Sequence, residues 1–455
     1  MAGPRGPLRW RKRSFTEAST ADPASDGVIG RADTAWYDGW DDPLVAAREA
    51  LRWGAGESTK SREHWSTWLR QRGENVTWTK RLDVPSVGAV TVVEAPYCSV
   101  IPAPVTVGPI DDPWQAPGVP TPTSSAGGRF LEVERATVVG GWDVIETSRG
   151  ACWPALGQGL DQALISNALD RKLIGWTRDH MLIHPTEVPE QTLPTAIFLL
   201  GEHSTQFGHW MSDHLFRLLA LRGRVSPGTP VLVDEGFFAS AAWWLHVLLP
   251  DCPTYSVSPG QSVAVEHLIV PLQRAICPIG FRDALEFTPE IWPVDPRAAL
   301  LLREAATGIR RGPSGGASGR RLLLERGAER RGIVNWDQVL AVTEGLDFDV
   351  LRVETIPVDA LLEILTSASL VVAPDGSHLM NFYGAAGSRR FIILEGPVMQ
   401  ARAGMAGCLA YLGNEVVFVG GVAVGEEPRT PYEAKQRPFS VDVDALATVL
   451  ADFTE

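Results

Sequence analysis

The chain has 455 residues, 45% hydrophobic and 21% charged, an ordinary globular composition with apolar mass for a large core. That length exceeds one ordinary domain and fits two of about 150 residues plus extra material. A formal net charge of −13 argues against a general nucleic-acid binder but leaves room for a local basic pocket around one anionic ligand.

The N-terminus carries Arg5, Arg9, Arg11, Lys12 and Arg13, but the polar run Ser14 to Ser25 comes next, so no signal-peptide apolar region is present. No apolar run approaches the roughly 18 residues that span a bilayer. The expected protein is soluble and cytoplasmic, with the early cations available for peripheral contact at the inner face of the cell membrane. Five scattered cysteines (Cys98, Cys152, Cys252, Cys277, Cys408) show no CxxC spacing, which favours a reducing compartment without structural zinc.

Residues 1–128 read as a partly disordered extension, rich in Pro, Gly, Ser and Thr, with disorder expected from Ser14 to Gly30. Its tryptophans (Trp36, Trp40, Trp53, Trp65, Trp68, Trp78) are unusual for pure disorder, and Pro43 to Trp53 reads as a docking helix. From Phe130 the pattern alternates. Leu131 to Glu134, Ala136 to Val139, Thr195 to Leu200, Pro230 to Val233 and Val265 to Val270 read as strands. Asp161 to Leu173, Phe207 to Arg222 and Phe237 to Leu249 read as helices. After the low-complexity loop Gly312 to Gly319 the alternation resumes: strand Arg321 to Leu324, helix Asn335 to Gly345, strand Phe348 to Val353, helix Pro357 to Ala368. Asn335 with Gln338 fits a capping box. Ser369 to Ala373 and Arg390 to Glu395 are strands flanking a short helical segment, His378 to Ala386, and Val441 to Phe453 is a closing helix. Alternating buried strands and helices predict parallel doubly wound α/β sheets, with ligands at the strands' carboxyl ends.

Three places carry chemistry-bearing residues. Pro374-Asp375-Gly376-Ser377-His378 turns from a buried strand into a helix start, aiming free N–H groups at an anion such as a diphosphate; the plainer alternative is that Asp375 or Ser377 caps the helix. His209 and Asp213, four apart at a helix start, share a face that the apolar stripe Met211, Leu215, Leu218 and Leu219 does not use. An imidazole beside a carboxylate is a general-base arrangement; the alternative is a cap and a helix-dipole partner. Arg326, Arg330 and Arg331 lie after a strand and suit bidentate binding of phosphate oxygens, or else form a solvated cluster with Glu325 and Glu329. Asp347-Phe348-Asp349 has metal-type DxD spacing but lies at a strand entry and reads as a turn. His203 either lines the pocket or is a loop residue, and His180 and His184 lack ligand partners at metal spacing.

In order, the aromatic-Gly-His-Trp-x-x-Asp-x-Leu segment, the strand with its arginine turn and Asn-led helix, and Pro-x-Gly-x-x-Leu-x-Asn resemble glycosyltransferase family 61 over residues 130 to 400. The resemblance implies a GT-B fold of two facing Rossmann-like domains, here 129–310 on the acceptor side and 320–455 on the donor side. It also implies an inverting transfer from a nucleotide-sugar donor to a glycan or other hydroxyl acceptor, as in capsule-type polysaccharide biosynthesis. The family motif falls on His209, Trp210 and Asp213, on Arg326, Arg331 and Asn335, and on Gly376, Leu379 and Asn381. Two departures stand out: Asp375 replaces the usual His and His378 the second Gly, while Ala360-Leu361 replaces a common Glu-Gln pair. The expected catalytic residues are Asp213 as base and His209 positioning it. Arg326, Arg331, Asn335, Asp375, Gly376, Ser377, His378 and Asn381 are expected on the donor, with no metal or other cofactor and no nucleic acid. The alternatives are a degenerate binder of glycan or nucleotide with a regulatory role, and a nucleotide-sugar epimerase.

Overall fold

The computed structural model describes residues 43–52, 58–101, 105–107, 121–154, 172–201, 204–274, 295–309, 319–326, 332–396, 405–426 and 437–454. The expected helix Asp161 to Leu173 falls almost wholly outside these, although Leu173 opens a strand, Leu173–Trp176. The disorder expected from Ser14 to Gly30 also lies outside them.

The fold is mixed α/β, built on two large sheets with parallel centres. In the first, Thr254–Val257, Val231–Asp234, Gln191–Phe198 and Ser262–Pro271 lie side by side in parallel. Ser262–Pro271 then pairs antiparallel with Arg129–Val139. The two strands expected at Leu131 and Ala136 are one: inward positions switch from Leu131 and Val133 to Ala136 and Val138 across Arg135, which sits at φ 52°. The second sheet runs Phe348–Leu351, Arg320–Leu324, Ala368–Pro374, Arg390–Glu395 and Glu415–Ala423, all parallel, with Phe439–Val441 antiparallel at its edge. These strands are apolar because helices cover both faces.

The segment before residue 128 is woven into both sheets. Ala89–Val92 pairs antiparallel with Arg129–Val139, and Val105–Val107 lies parallel to Glu415–Ala423. The helix expected from Pro43 is present as Pro43–Arg52, and together with Thr59–Arg70 it encloses a small core around Trp65, Trp68 and Leu69. Buried Arg274 joins Glu94 and Asp295, and Asp295 also accepts from Ser125 and from the Ala298 N–H at the start of the helix Pro296–Ile309. A cluster of ions thus ties the early segment to the main body.

One apolar cluster runs through both sheets. Ile197, Leu199, Val231 and Val233 of the first share it with Leu322, Leu324, Val371 and Ala373 of the second, joined by helix residues such as Trp244, Leu302 and Phe382. The approach is closest at Gly384, where an added Cβ would lie 2.4 Å from Trp244 Cη2. Gly384→Ala therefore has to displace a buried indole. The expected cost is about 1–3 kcal/mol, read as a lower urea midpoint at unchanged m-value; an unaltered midpoint would show that the two sheets are not packed together here.

Candidate functional site

Sheet order places the site. In the second sheet the chain leaves Arg320–Leu324 toward Phe348–Leu351 on one side, then returns to lay Ala368–Pro374 on the other. The carboxyl ends of Arg320–Leu324 and Ala368–Pro374 therefore flank a topological switch point, where open α/β sheets bind ligands. Arg326 leaves the first of these ends and Asp375-Gly376-Ser377 the second. The Arg326 guanidinium donates through Nη1 to the Asp375 carbonyl oxygen at 2.8 Å, while the Asp375 N–H is held by the Leu394 carbonyl at 2.9 Å. Glu325 turns away to a bidentate pair with Arg352, at 2.7 and 2.8 Å.

Gly376 precedes the 3₁₀ helix Ser377–Gly384, and no side chain caps that helix start. A Cβ on Gly376 would sit 2.9 Å from both Arg326 Nη1 and His378 Nδ1. A guanidinium and an imidazole thus close over one glycine, where a side chain would not fit. Asn381 is buried and donates to the His378 carbonyl at 2.8 Å, so it braces the turn from below.

From the first sheet comes the helical run after Gln191–Phe198. A single helix is expected over Phe207 to Arg222, but the segment is α over Phe207–His209, π over Trp210–Leu215, α over Phe216–Leu218 and 3₁₀ over Leu219–Leu221. The π turn adds a residue and rotates the downstream side chains by about 100° around the helix axis. His209 lies inside the helix rather than at its cap, which is Gln206. His209 Nδ1 is 2.8 Å from Asp213 Oδ2, and the Ser212 hydroxyl donates to Asp213 Oδ1 at 2.7 Å. Of the pair, His209 is the more open, its side chain 23% exposed against 9% for Asp213.

These two constructions touch. A Cβ on Gly208 would lie 2.9 Å from Ser377 Cβ, so the residue before His209 rests on the residue after Gly376. Phe207, Phe237 and Phe238 stand half-buried beside the pair, with Phe207 and Phe238 ring centroids 6.2 Å apart.

Other expected residues lie elsewhere. Arg330, Arg331 and His203 are outside the described residues. Asn335 opens its helix without capping it: its amide donates to the Val441 carbonyl at 2.9 Å and to Gln338 Oε1 at 3.0 Å, and accepts from the Val441 N–H at 2.8 Å. Those bonds give Asn335 a staple role between its helix and the edge strand, in place of the expected capping box. Asp349 pairs with Arg320 at 2.7 Å and Asp347 sits at φ 58°, which agrees with the turn reading of that acidic pair. Among the described residues no group of three His, Cys, Asp or Glu is placed to hold a metal ion.

Sequence reasoning missed the charged group behind the pair. Arg217, buried on the same helical run as buried Asp213 and His214, donates through Nη2 to His214 Nδ1 at 2.7 Å and to the Leu200 carbonyl at 3.3 Å. Burial lowers the pKa of its guanidinium, while Asp143, Asp213 and Asp234 pull it back up. Asp234, at the carboxyl end of Val231–Asp234, accepts from the Gly201 N–H at 3.0 Å and from the Ser204 hydroxyl. Burial pushes its carboxyl up, against those hydrogen bonds and Arg217. A lone arginine four residues past Asp213 in an apolar run was the available signal.

The sequence over the site supports a glycosyltransferase. Residues 207–389, a region that contains both halves of the site, match the family model Glycosyltransferase 61. No curated protein matches the chain. Among solved structures it is similar to the bacterial iron-containing dodecameric glycosyltransferase TibC from enterotoxigenic E. coli H10407, at 12% identity and a TM-score of 0.26 over 65% of this chain and 84% of that one. A likeness that slight carries no argument. No helix among the described residues is long and apolar enough to cross a membrane.

The staple at Asn335 separates support from catalysis. Asn335→Ala is expected to lower stability by about 1–3 kcal/mol in thermal or urea unfolding, with sugar transfer by the folded fraction unchanged. Lost turnover at unchanged stability would place Asn335 on the substrate instead.

Proposed function

We propose that the enzyme is an inverting glycosyltransferase using a nucleotide-sugar donor, with a GT-B-like division of labour: residues 129–310 serve the acceptor and 320–455 the donor. The observation that carries this is the contact of Gly208 with Ser377, which brings an imidazole–carboxylate pair beside the glycine turn that Arg326 and His378 close over. The donor diphosphate rests on the Gly376–Ser377 turn, with Arg326 and His378 around it and Asn381 beneath. A helix-start turn and a fixed guanidinium suit an oxygen anion there. Arg331 is proposed as a second phosphate ligand. The Asp375 carboxylate lies at the same turn, and its charge favours a donor that meets the backbone rather than this side chain.

The acceptor hydroxyl enters beside His209. Both Asp213 oxygens are already engaged, by His209 and Ser212, and Asp213 is the more buried partner. This supports giving proton removal to His209 and the holding role to Asp213, the reverse of the sequence expectation. As the proton leaves, the acceptor oxygen attacks the anomeric carbon from the face opposite the diphosphate. The carbon–oxygen bond to the leaving group breaks, and its electron pair stays on the phosphate oxygen, where Arg326 and the turn neutralise it. A positioned base contributes about 10²–10⁴-fold. The proposed setting is polysaccharide or glycoconjugate synthesis in the cytoplasm.

His209→Ala is expected to abolish transfer while nucleoside-diphosphate affinity, measured by calorimetry, stays near wild type. Loss of nucleotide binding in that variant would overturn the division of labour. A donor screen with mass detection of released nucleoside diphosphate distinguishes transfer from epimerisation, which releases an altered sugar nucleotide without acceptor.

A further inference from the structure

Two arginines meet at the end of the second sheet that lies away from the glycine turn. Arg389 precedes the strand Arg390–Glu395, and Arg303 comes from the middle of the helix Pro296–Ile309. One turn, Leu412-Gly413-Asn414, holds both. The Arg389 N–H donates to Asn414 Oδ1 at 3.0 Å, and the Arg389 carbonyl accepts from the Glu415 N–H at 3.0 Å. Arg303 Nη1 donates to the Leu412 carbonyl at 2.9 Å. Arg389 is 4% exposed, with its Nη2 tied to the Ala386 carbonyl and its guanidinium carbon 5.6 Å from the Phe382 ring centroid. That leaves Nε and Nη1 of Arg389 and Nε and Nη2 of Arg303, four buried nitrogens with no hydrogen-bond partner among the described residues. Buried donors are nearly always satisfied and a guanidinium keeps its proton, so four orphans on two neighbouring cations call for an acceptor. Among the described residues no carboxylate supplies it: Glu415 turns to Arg390 at 3.4 Å, and Glu304 is exposed. The neighbouring charge that Arg389 does feel is that of Arg303, which adds to burial in lowering its pKa to about 10.

We propose that Arg303 and Arg389 form a second oxyanion site, separate from the glycine turn, that takes a free phosphate ion. One tetrahedral anion carries oxygens enough for all four donors. Nε and Nη2 of Arg303 lie along one edge of the guanidinium, the fork that grips two oxygens at once. The four nitrogens are closed to solvent, which suits a small ion rather than an ester carrying a nucleoside or a lipid. Arg303 is half-buried, and a Cβ on Gly413 would meet nothing within 4 Å, so the pair lies just beneath the surface. The parallel register keeps the site apart from the donor turn. Arg390 stands opposite Leu370 and Leu394 opposite Pro374, so Arg389 and Gly376 lie at opposite strand ends, about 20 Å apart along the sheet. Through Leu302 the helix of Arg303 packs into the apolar cluster that both sheets share, so an anion here braces that helix to the second sheet. The site stands independently of the sugar-transfer reading.

The test is calorimetric titration of the full-length protein with inorganic phosphate in chloride buffer of matched ionic strength. Saturable binding is expected in wild type and is expected to persist in Arg326→Gln, which takes the guanidinium from the glycine turn. Adding Arg303→Gln to that variant is expected to weaken phosphate binding by about tenfold or more. Arg303 is chosen because it is half-buried, whereas a variant at the deeply buried Arg389 can fail to fold. If Arg326→Gln itself does not fold, wild type is titrated with a nucleoside diphosphate present, and phosphate binding is expected to be retained. Wild-type protein that takes up no phosphate would overturn the inference, whatever the variants do. Phosphate binding lost in Arg326→Gln, or displaced by the nucleoside diphosphate, would put the ion on the donor turn and overturn it too. Binding unmoved by the added Arg303→Gln would show that these arginines hold no anion. None of these outcomes bears on His209, so the sugar-transfer reading fails separately, by its own variant.

Discussion

At Gly208 the backbone of one sheet's helical run comes so close to Ser377 that a side chain has no room. The proposed site is arranged around that approach. A parallel strand on each side delivers a short irregular helix: one begins with Phe207–His209 and the other with Ser377–Gly384. Each helix taken alone is unremarkable, a histidine–aspartate pair and a glycine turn. Packed end against end, they bring the His209–Asp213 pair and the Gly376 turn together, and glycine at 208 and 376 is the condition for both approaches.

The packing is rigid because the two sheets share apolar side chains. Trp244 presses on Gly384, and the Phe216 and Tyr383 rings lie 6.0 Å apart, centroid to centroid. Burial also sets the electrostatics. Tyr383 is held well above the ordinary tyrosine range by desolvation, and the Cys408 thiol is pushed up for the same reason, so both are neutral packing groups. Two buried arginines keep polar partners: Arg217 donates to His214 Nδ1 and the Leu200 carbonyl, and Arg274 pairs with Glu94 and Asp295. The first lies on the helical run of His209 and Asp213, and the second anchors the early segment.

Much of this was legible from residue pattern. Arg390–Glu395 has the bounds its apolar run predicts, and the strands at Gln191, Val231, Arg320 and Ala368 arise from β-branched and leucine runs between turn signals. The pairing of His209 with Asp213 comes directly from helical spacing. Local pattern could not show phase and partnership. A π turn inserts one residue without disturbing the apolar content of Phe207 to Arg222, so the inward swing of Arg217 left no trace beyond an arginine in a greasy run. The strand Val105–Val107 joins a sheet whose partner lies some three hundred residues later, and no local period encodes that. The helix Pro296–Ile309 did announce itself, with Asp295 as cap and Pro296 in its first turn, and went unread. Asn335 misled for a simple reason: an amide before a helix suits a cap, a ligand contact or a strand staple equally well, and only the position of Val441 decides.

The central claim is that one crevice holds both the departing diphosphate and the group that activates the acceptor. A crystal structure with a nucleoside diphosphate bound tests it most directly. The account predicts phosphate oxygens on the Gly376–Ser377 backbone and the Arg326 guanidinium, with His209 facing the open end of the diphosphate across Gly208. A nucleotide seated away from that turn, or one whose terminal phosphate points away from His209, would contradict it.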